Sequence, residues 1–334
     1  MELSIVIIAR NEESTLGRNL EGVAKEVRDL DAEILLIDSA SSDRTVSIAK
    51  TYPVRIVHLE PSPLLSPAAG RYVGTIASKG KFVFFMDGDM ILIPGWLKRG
   101  LEEMHEKSLA GVAGRIFFVS PGEELTQDHP DDFPLGEIKG IGLSAIYRRA
   151  ALDQCGTFNP YAKGEEEIEL GYRLLRGGFT LKRVAVPMAY HVDKPKGAGA
   201  IDQKAKYFAG TGQILRRYPG SELARRLIRS TAPVFAQQCI VLGTVVALAV
   251  LVIAGWYTPA AYLAALAALA VSGMLILKGP TKVLLYFRSI ALISHYMAKG
   301  FLEGLPEGEG FEKKIRYTIT EPPVASGLSA PKSE

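Results

Sequence analysis

The chain has 334 residues, a formal net charge of +3 at pH 7 and two cysteines. This length exceeds one ordinary domain and predicts a large domain with an appendage. The nearly balanced charge argues against a nucleic-acid-binding protein, and two cysteines exclude a disulfide framework, which indicates a reducing compartment. The N-terminus enters an apolar run at once and does not resemble a signal peptide, so we expect the N-terminal half to face the cytosol.

The N-terminal half alternates between strand-like and helix-like segments. Four short apolar runs predict strands, and the first three are each followed by a segment with helical spacing or a helix-start signal. This alternation indicates right-handed crossovers and a largely parallel sheet, which binds ligands at the carboxyl ends of its strands. The four runs are SIVIIA, EILLID, VRIVHL and KFVFFMD, which begin at Ser4, Glu33, Val54 and Lys81.

Polar residues end three of these strands, at 10–12, 38–39 and 87–89, and we expect them to meet along one edge of the sheet. Asp87 and Asp89 flank a single glycine, and two carboxylates so close repel each other unless a cation lies between them. Hard oxygen ligands of this kind suit Mg²⁺ or Mn²⁺, which usually accompany phosphates. An Asp-Gly turn after a buried strand is the alternative, but the shared edge favours a ligand site.

Two uncharged apolar segments near the C-terminus predict a transmembrane hairpin. Residues 234–255 and 261–277 are each close to the ~20 apolar residues that cross a hydrocarbon core. A short aromatic turn separates them, and basic residues flank both outer ends, which places these ends in the cytosol. A buried soluble helix pair is the alternative, although soluble helices rarely lack a polar face.

The segment 281–305 carries Arg288, His295 and Lys299 on one narrow face. We expect an amphipathic helix at the membrane interface rather than a third span, because three ionisable groups are costly inside a bilayer. The tail that follows is rich in Gly, Pro, Ser and charged residues and is expected to be loosely structured. The predicted divisions are an α/β domain at 1–200, linker helices at 201–232, transmembrane helices at 233–278, the amphipathic helix at 279–305 and a flexible tail at 306–334.

The order and spacing of five motifs resemble the family 2 glycosyltransferases with the GT-A fold. Each motif is weak alone, but the five together, spread over roughly residues 3–191, are specific. The resemblance implies a Rossmann-like, mostly parallel GT-A sheet with flanking helices, and an inverting, metal-dependent transfer of one sugar from a nucleotide sugar. The motifs are SIVIIARNEE, ILLIDSASSDRT, AAGRYVGTIASKGKFVFFMDGDM, GLSAIYRRAAL and GEEEIELGYRLLRGGF.

In such enzymes the first two strand ends hold the nucleotide. The resemblance therefore implies that Ala9, Asn11 and Glu12 lie near the ribose and base, and that Asp38 accepts a hydrogen bond from the base. The family often has Asp-Asp-Gly-Ser where this chain has Asp-Ser-Ala-Ser at 38–41. The first aspartate is kept and the second is lost, so the role of Ser39 stays open.

The resemblance assigns the remaining donor contacts to a basic residue, to the acidic motif Asp87-Gly88-Asp89 and to one histidine. Arg71 corresponds to a residue that can pair with the donor phosphates, with a salt bridge on the helix as the alternative. Asp87 and Gly88 would lie near the ribose or sugar. Asp89 would bind a Mg²⁺ or Mn²⁺ ion that bridges the diphosphate, and His191 would complete the metal shell unless it is structural.

An acidic run at 164–170 matches the Glu-Asp-x-Asp-Leu segment of the family. In this alignment Glu167 takes the position of the catalytic base, with Glu in place of Asp, and Glu166 helps to position the acceptor. A base is needed if the acceptor is a hydroxyl, whereas an acceptor phosphate is already ionised. The alternative is a first helical turn enriched in acids, which suits the helix dipole.

Gly142, Leu143 and Ser144 resemble the wall that cradles the donor sugar and the acceptor, although a buried strand also tolerates such glycines. The preceding loop at 120–137 is long, acidic and rich in turn formers. It is either a lid or a surface excursion, and the sequence does not distinguish the two.

The predicted membrane hairpin is the best indication of the acceptor, because a lipid-borne acceptor explains an anchored enzyme. The basic and aromatic segment 200–219 fits an interfacial position near anionic headgroups or a polyprenyl phosphate. The Gln-x-x-Arg-Trp motif of processive polysaccharide synthases is absent, which favours single-sugar transfer. We therefore predict a multi-pass protein of the cell membrane with its catalytic domain on the cytoplasmic face. Its donor would be a UDP-sugar, with a GDP-sugar next, and its acceptor a polyprenyl phosphate or a lipid-linked saccharide.

Two other classes of protein stay open. A nucleotidyltransferase can share the alternating sheet, but we find no Gly-rich, basic phosphate loop near the N-terminus. A catalytically silent membrane adaptor of the same fold is compatible with the altered motifs at 38–39 and 166–167. The intact Asp87 and Asp89 argue against the adaptor.

Overall fold

A computed structural model describes residues 1–128, 130, 132–142, 144–193, 200–264, 266–267 and 280–322. At 200, 203, 235, 238, 241, 242, 245 and 280–284 it describes the backbone alone. The chain divides into two compact units, Met1–Pro195 with Pro306–Glu334, and Lys196–Leu305. The first unit corresponds to the predicted α/β domain together with the predicted tail.

Four strands of the first unit form a parallel group: β1 Leu3–Ala9, β2 Ala32–Asp38, β3 Arg55–Leu59 and β4 Phe82–Asp87. Their order in the sheet is β3-β2-β1-β4. All seven residues of β1 are buried, as expected for a central parallel strand with both faces covered. The register aligns Ala9 with Asp38, and Ile8 with Asp87, so the polar strand ends do meet at one edge.

Three helices connect these strands where the sequence predicts them: α1 Leu16–Glu26, α2 Thr45–Ala49 and α3 Pro67–Ala77. α1 buries Leu16, Leu20 and Val23, which share one face at helical spacing. α3 begins at Pro67, and the Oγ of Ser66 caps it by accepting a hydrogen bond from the Ala69 amide at 3.0 Å.

The other half of the sheet is mixed, so the predicted mostly parallel sheet is correct only for the first four strands. The elements that follow are β5 Met90–Leu92, α4 Trp96–Glu103, β6 Leu109–Val119, β7 Gly136–Glu137, β8 Ala145–Arg148, α5 Arg149–Cys155, α6 Glu166–Arg176 and β9 Thr180–Val192. β8 pairs antiparallel with β4 and with β6, β9 pairs parallel with β6, and β5 and β7 pair antiparallel with β9. The four apolar runs that predict strands end at β4, so the pairings of the later strands were not predicted.

The predicted flexible tail is wrong for residues 306–322, while residues 323–334 lie outside the described part of the chain. Strand β10, Tyr317–Thr320, pairs antiparallel with β3 at the edge of the sheet. Phe311 is completely buried, and its ring meets those of Tyr72 and Tyr161 edge-on, at centroid distances of 5.5 and 5.2 Å. One buried aromatic ring and a strand pairing therefore outweigh a composition that is typical of disorder.

The second unit contains the helices α7, Ala200–Arg217, α8, Glu222–Ile253, and α9, Pro280–Glu303; residues 257–264 are also helical. α7 packs along α9, and any side chain at Gly300 would overlap the backbone of Ala209. The predicted linker and the predicted amphipathic segment are thus packed against each other.

The predicted transmembrane hairpin finds no support in the described residues. Its first span lies inside α8, which begins at Glu222 and carries arginines in its first two turns. Most of the second span, 261–277, lies outside the described residues. Within the described part of the chain, no helix has both the length and the apolar character that crossing a membrane requires.

Candidate active site

The loops that follow β1 and β2 are bound to each other. The Asn11 side chain accepts a hydrogen bond from the Ser42 amide at 2.8 Å, and the Asn11 amide donates to the Ser41 hydroxyl at 2.9 Å. The Glu12 amide donates to the Thr45 hydroxyl at 2.8 Å. Asn11 adopts a left-handed conformation with φ of 57°, which asparagine tolerates better than most residues. Two of the residues assigned to the nucleotide therefore lie in a braced loop at the sheet edge.

Asp38 lies at the end of β2 and is fully buried. Its Oδ2 accepts a hydrogen bond from the Ser41 amide at 3.2 Å and lies 2.6 Å from Nδ1 of His58. Because an ionised carboxylate is only an acceptor, the histidine ring nitrogen donates this bond. The sequence-based prediction missed His58, although its place one strand over and in register with Asp38 follows from the predicted parallel sheet.

The acidic motif is held in place by a buried amide that the sequence-based prediction also missed. Asn19 of α1 is fully buried, and its Nδ2 donates to the carbonyls of Asp87 and Met90 at 3.1 and 2.7 Å. These two carbonyls flank the Gly88–Asp89 pair, so one side chain fixes both ends of the turn. An asparagine on the apolar face of a predicted helix was the signal available in the sequence.

Gly88 brings the acidic motif against the first loop. A Cβ atom at this position would lie 2.9 Å from Cγ of Glu12 and 3.0 Å from Cβ of Ala9, closer than real side chains approach. Any larger residue at position 88 would push the end of β4 away from the loop after β1. Gly88, Ala9 and Glu12, which were assigned to the nucleotide, are thus in contact with one another.

Asp89 and His191, the metal pair, lie side by side because β5 runs antiparallel to β9, with Met90 opposite His191. The Asp89 Oδ1 and His191 Nε2 atoms are 3.7 Å apart, and the two side chains are 18% and 17% exposed. Nδ1 of His191 lies 3.4 Å from Asp193. The structure therefore brings together the two residues that the sequence predicts as metal ligands.

The metal pair fits a Mg²⁺ or Mn²⁺ ion that is shared with a ligand. Adjacent octahedral ligands at about 2.1 Å from an ion are roughly 3 Å apart, so a small rotation of either side chain suffices. Among the described residues, no group of three or more His, Cys, Asp or Glu side chains is arranged to hold a metal. Two protein ligands are nevertheless enough for an ion whose shell is completed by water and substrate phosphates.

Arg71 joins the acidic motif to the start of α6. Its guanidinium lies 2.9 Å from Asp87, 2.8 Å from Glu166 and 3.1 Å from Glu167, and the residue is 2% exposed. We call these four residues the arginine cluster. The predicted alternative was a salt bridge on the helix itself; the structure instead shows ion pairs to β4 and α6, so Arg71 connects three separate elements. Pairing of Arg71 with the donor phosphates stays a prediction.

The arginine cluster contains more negative than positive charge in a buried place. The pKa of Glu167 is raised to about 8, mainly by burial and next by the neighbouring Glu166, while Arg71 acts in the opposite direction. Burial likewise raises the pKa of Glu166. Burial and the neighbouring carboxyl group thus favour a proton on Glu167 near neutral pH, while Arg71 favours its ionised form.

The acidic residues in the first turn of α6 have two kinds of partner. Glu169 bonds Arg173 one turn later, at 2.9 Å, so it belongs to the helix. Glu166 and Glu167 instead face Arg71 on α3. The helix-dipole explanation of this acidic run thus covers Glu169, whereas the other two acids have partners outside the helix.

The predicted sugar-binding wall is described only in part. Leu143 lies outside the described residues. The Ser144 hydroxyl donates to the Phe85 carbonyl at 2.6 Å and the residue is 1% exposed, so it anchors this loop to β4. A side chain at Gly142 would meet no described atom within 4 Å. Contact of these residues with a sugar stays a prediction.

Comparison with protein families and known proteins agrees with this geometry. The sequence model described as Glycosyl transferase family 2 matches residues 4–163. The chain is 32% identical over 222 residues to the glucosyl-3-phosphoglycerate synthase of Petrotoga mobilis, covering 66% of this chain and 56% of that protein. It is 26% identical over 235 residues to the pre-mycofactocin glycosyltransferase of Mycobacterium tuberculosis, covering 65% and 48%. The chain thus spans about half the length of these relatives.

Solved structures show the same fold at low sequence identity. The mannosyltransferase PcManGT from Pyrobaculum calidifontis, in complex with GDP-Man and Mn²⁺, superposes with a TM-score of 0.59 at 16% identity, covering 90% of this chain and 87% of that one. Residues 1–349 of S. aureus TarS, in complex with UDP-GlcNAc, give 0.51 at 18% identity, covering 67% and 69%. The predicted glycosyltransferase is confirmed at the level of the domain: residues 4–163 of this chain form a family 2 glycosyltransferase domain with the GT-A fold.

Proposed function

We propose that this protein transfers one sugar, with inversion at the sugar carbon, from a nucleoside-diphosphate sugar to an acceptor carried by a membrane lipid. UDP is the favoured nucleotide and GDP the next. The observation that carries this proposal is that the turn Asp87-Gly88-Asp89 joins two groups of side chains: Asp87 belongs to the arginine cluster and Asp89 to the metal pair. Donor and acceptor chemistry would then meet at one edge of the sheet.

The donor side uses residues that the structure holds firmly. Asp89 and His191 would hold a Mg²⁺ or Mn²⁺ ion, which when bound neutralises the charge that develops on the departing diphosphate. Gly88 permits the close contact between the acidic motif and the first loop, where the ribose and base would bind. PcManGT was solved in complex with GDP-Man and Mn²⁺, and TarS in complex with UDP-GlcNAc, which supports a nucleotide-sugar donor here.

Glu167 is the proposed base for a hydroxyl acceptor. It must be ionised to remove a proton, and its pKa of about 8 lies close enough to neutral pH for efficient proton transfer. Glu166 is buried and bonded to Arg71, so it positions the acceptor side without direct proton transfer. An acceptor phosphate would need no base, and Glu167 would then matter less.

The surface of the second unit supports a lipid acceptor. Exposed apolar side chains concentrate at the end of α8 and in the residues after it, and such a concentration is typical of a surface that contacts a membrane or another protein. These side chains include Ile240, Val246, Val250, Ile253, Trp256, Tyr257, Tyr262 and Leu266, each more than half exposed. We further propose, from the sequence alone, that the catalytic unit works on the cytoplasmic face of the cell membrane.

A soluble phosphorylated acid is the second candidate acceptor. The relative from Petrotoga mobilis, at 32% identity, is a glucosyl-3-phosphoglycerate synthase, and no helix of the described residues is long and apolar enough to span a membrane. This candidate keeps the same donor chemistry. It differs in requiring no membrane.

Release of nucleoside diphosphate from a panel of UDP- and GDP-sugars tests the proposal. Purified full-length protein is incubated with Mn²⁺ and either a membrane lipid extract or 3-phosphoglycerate. We expect release that requires one donor and the lipid extract. Release that requires 3-phosphoglycerate would replace the lipid acceptor by the soluble one, and no metal-dependent release with either acceptor would contradict the proposed function.

A further inference from the structure

His58 is a polar side chain at the nucleotide end of the sheet to which no role has been given so far. It lies on β3, and its register partners are Asp38 on β2 and Thr318 on β10. A residue with strand neighbours on both sides has a fixed backbone, which is how precise binding sites are usually built. Its side chain is 39% exposed, whereas that of Asp38 is completely buried.

This difference in exposure decides which of the two residues a ligand meets. The His58 ring is partly exposed, and its Nδ1 lies 2.6 Å from Oδ2 of the buried Asp38 carboxylate. Its other oxygen, Oδ1, is buried and has no hydrogen-bond partner among the described residues. A buried carboxylate tolerates such a position only when a cationic or donating group compensates it, and the imidazole is that group. Because Asp38 is fully buried, a ligand at this edge meets His58 first.

We propose that His58, held by Asp38, is the residue that contacts the nucleobase of the donor, which rests on the proposed nucleotide-sugar function. Asp38 then becomes a positioning residue. Its bond to Nδ1 fixes the ring orientation and leaves Nε2 for the ligand, as carboxylates do for histidines in other sites.

The ring suits the edge of a uracil or a guanine. Both bases present an N–H donor beside carbonyl acceptors, and an imidazole nitrogen accepts when neutral and donates when protonated. The diphosphate is bound elsewhere, at the metal pair. Loss of His58 should therefore weaken binding of the whole nucleotide and leave binding of its diphosphate part unchanged.

Calorimetric titration of the full-length protein provides the test. Wild type and His58→Ala are titrated with UDP, with GDP and with inorganic pyrophosphate, each in the presence of Mn²⁺. We expect His58→Ala to lower the affinity for the preferred nucleotide about tenfold, the effect of one hydrogen bond. The affinity for pyrophosphate should be unchanged. The control His105→Ala, at an exposed histidine outside the sheet edge, should change neither the affinity for the nucleotide nor the affinity for pyrophosphate.

The variant Asp38→Asn tests whether Asp38 orients the His58 ring or itself contacts the nucleobase. If Asp38 acts through His58, Asp38→Asn lowers the affinity for the nucleotide. The double variant Asp38→Asn with His58→Ala should then bind the nucleotide no more weakly than His58→Ala alone. The inference is overturned if His58→Ala binds nucleotide as wild type does while Asp38→Asn loses affinity. Wild type that binds neither nucleotide would instead overturn the proposed function itself.

A measurement on the wild type guards against variants that fail to fold. Ring ¹⁵N resonances of His58 should shift on addition of the preferred nucleotide and not on addition of pyrophosphate. Equal shifts with both ligands would show a response to the diphosphate and would contradict a base contact.

Discussion

The metal pair and the arginine cluster share the Asp87-Gly88-Asp89 turn but are built in opposite ways. Asp89 and His191 are partly exposed and lie 3.7 Å apart, a spacing that leaves room for a shared ion. In the arginine cluster a 2% exposed guanidinium contacts three carboxylates at 3.1 Å or less. The metal pair has the spacing that the proposed ion would need, whereas the guanidinium of the arginine cluster already pairs with three carboxylates of the protein.

Removing Arg71 should give the largest effect, because it leaves buried carboxylates without their cation. Arg71→Met is expected to cost about 3–5 kcal/mol of unfolding free energy, as is typical when one partner of a buried ion pair is lost. Chemical denaturation measures this cost. The matched control is Arg99→Met, whose arginine pairs with Glu102 and Glu103 on the exposed face of α4 and should cost less than about 1 kcal/mol. Equal costs for the two variants would show that the arginine cluster is not a special element of the fold.

Replacing the proposed base should reduce turnover without unfolding the protein. With a hydroxyl acceptor, Glu167→Gln is expected to lower kcat by about 10²-fold or more, the usual contribution of a general base. Because the pKa of Glu167 is raised to about 8, wild-type turnover should increase as the pH rises through 8 and level off above about pH 9. The variant should lack this increase. Full activity of Glu167→Gln on a hydroxyl acceptor would exclude the base role.

The same carboxyl group should make stability depend on pH in a defined direction. Its folded-state pKa of about 8 lies above the ordinary value of 4.5, so between these values the folded protein binds a proton that the unfolded chain releases. Stability should therefore fall as the pH rises through this window, by at most about 1.4 kcal/mol per pH unit. Glu167→Gln should flatten this decline in a denaturation series, and a series in which both proteins decline equally would contradict the raised pKa.

The parts of the structure that could be predicted are those in which local pattern and topology agree. Strands β1 to β4, the helices between them and the polar strand ends follow from apolar runs and crossover rules. The juxtaposition of Asp89 and His191 was implied by the family resemblance, and the antiparallel pairing of β5 with β9 explains it.

The missed features depend on contacts between residues far apart in the chain. Neither the three partners of Arg71 nor the histidine beside Asp38 has a local sequence pattern, because they meet only when the strands are aligned. The tail was misjudged for a related reason: its composition resembles disorder, yet Phe311 fills a buried site and β10 pairs with β3. The composition of a segment is an average over its residues, so it cannot predict a single buried contact of this kind.

Metal-dependent donor turnover by Asp89→Asn is the most direct test of the central claim, that the metal pair activates a nucleotide-sugar donor. Release of nucleoside diphosphate is measured against Mn²⁺ concentration in wild type, in Asp89→Asn and in Asp153→Asn, a control at an exposed acid on α5. We predict that Asp89→Asn loses about 10³-fold in turnover, equivalent to ~4 kcal/mol, and that the control matches wild type. Turnover in Asp89→Asn with an unchanged Mn²⁺ dependence would contradict the claim.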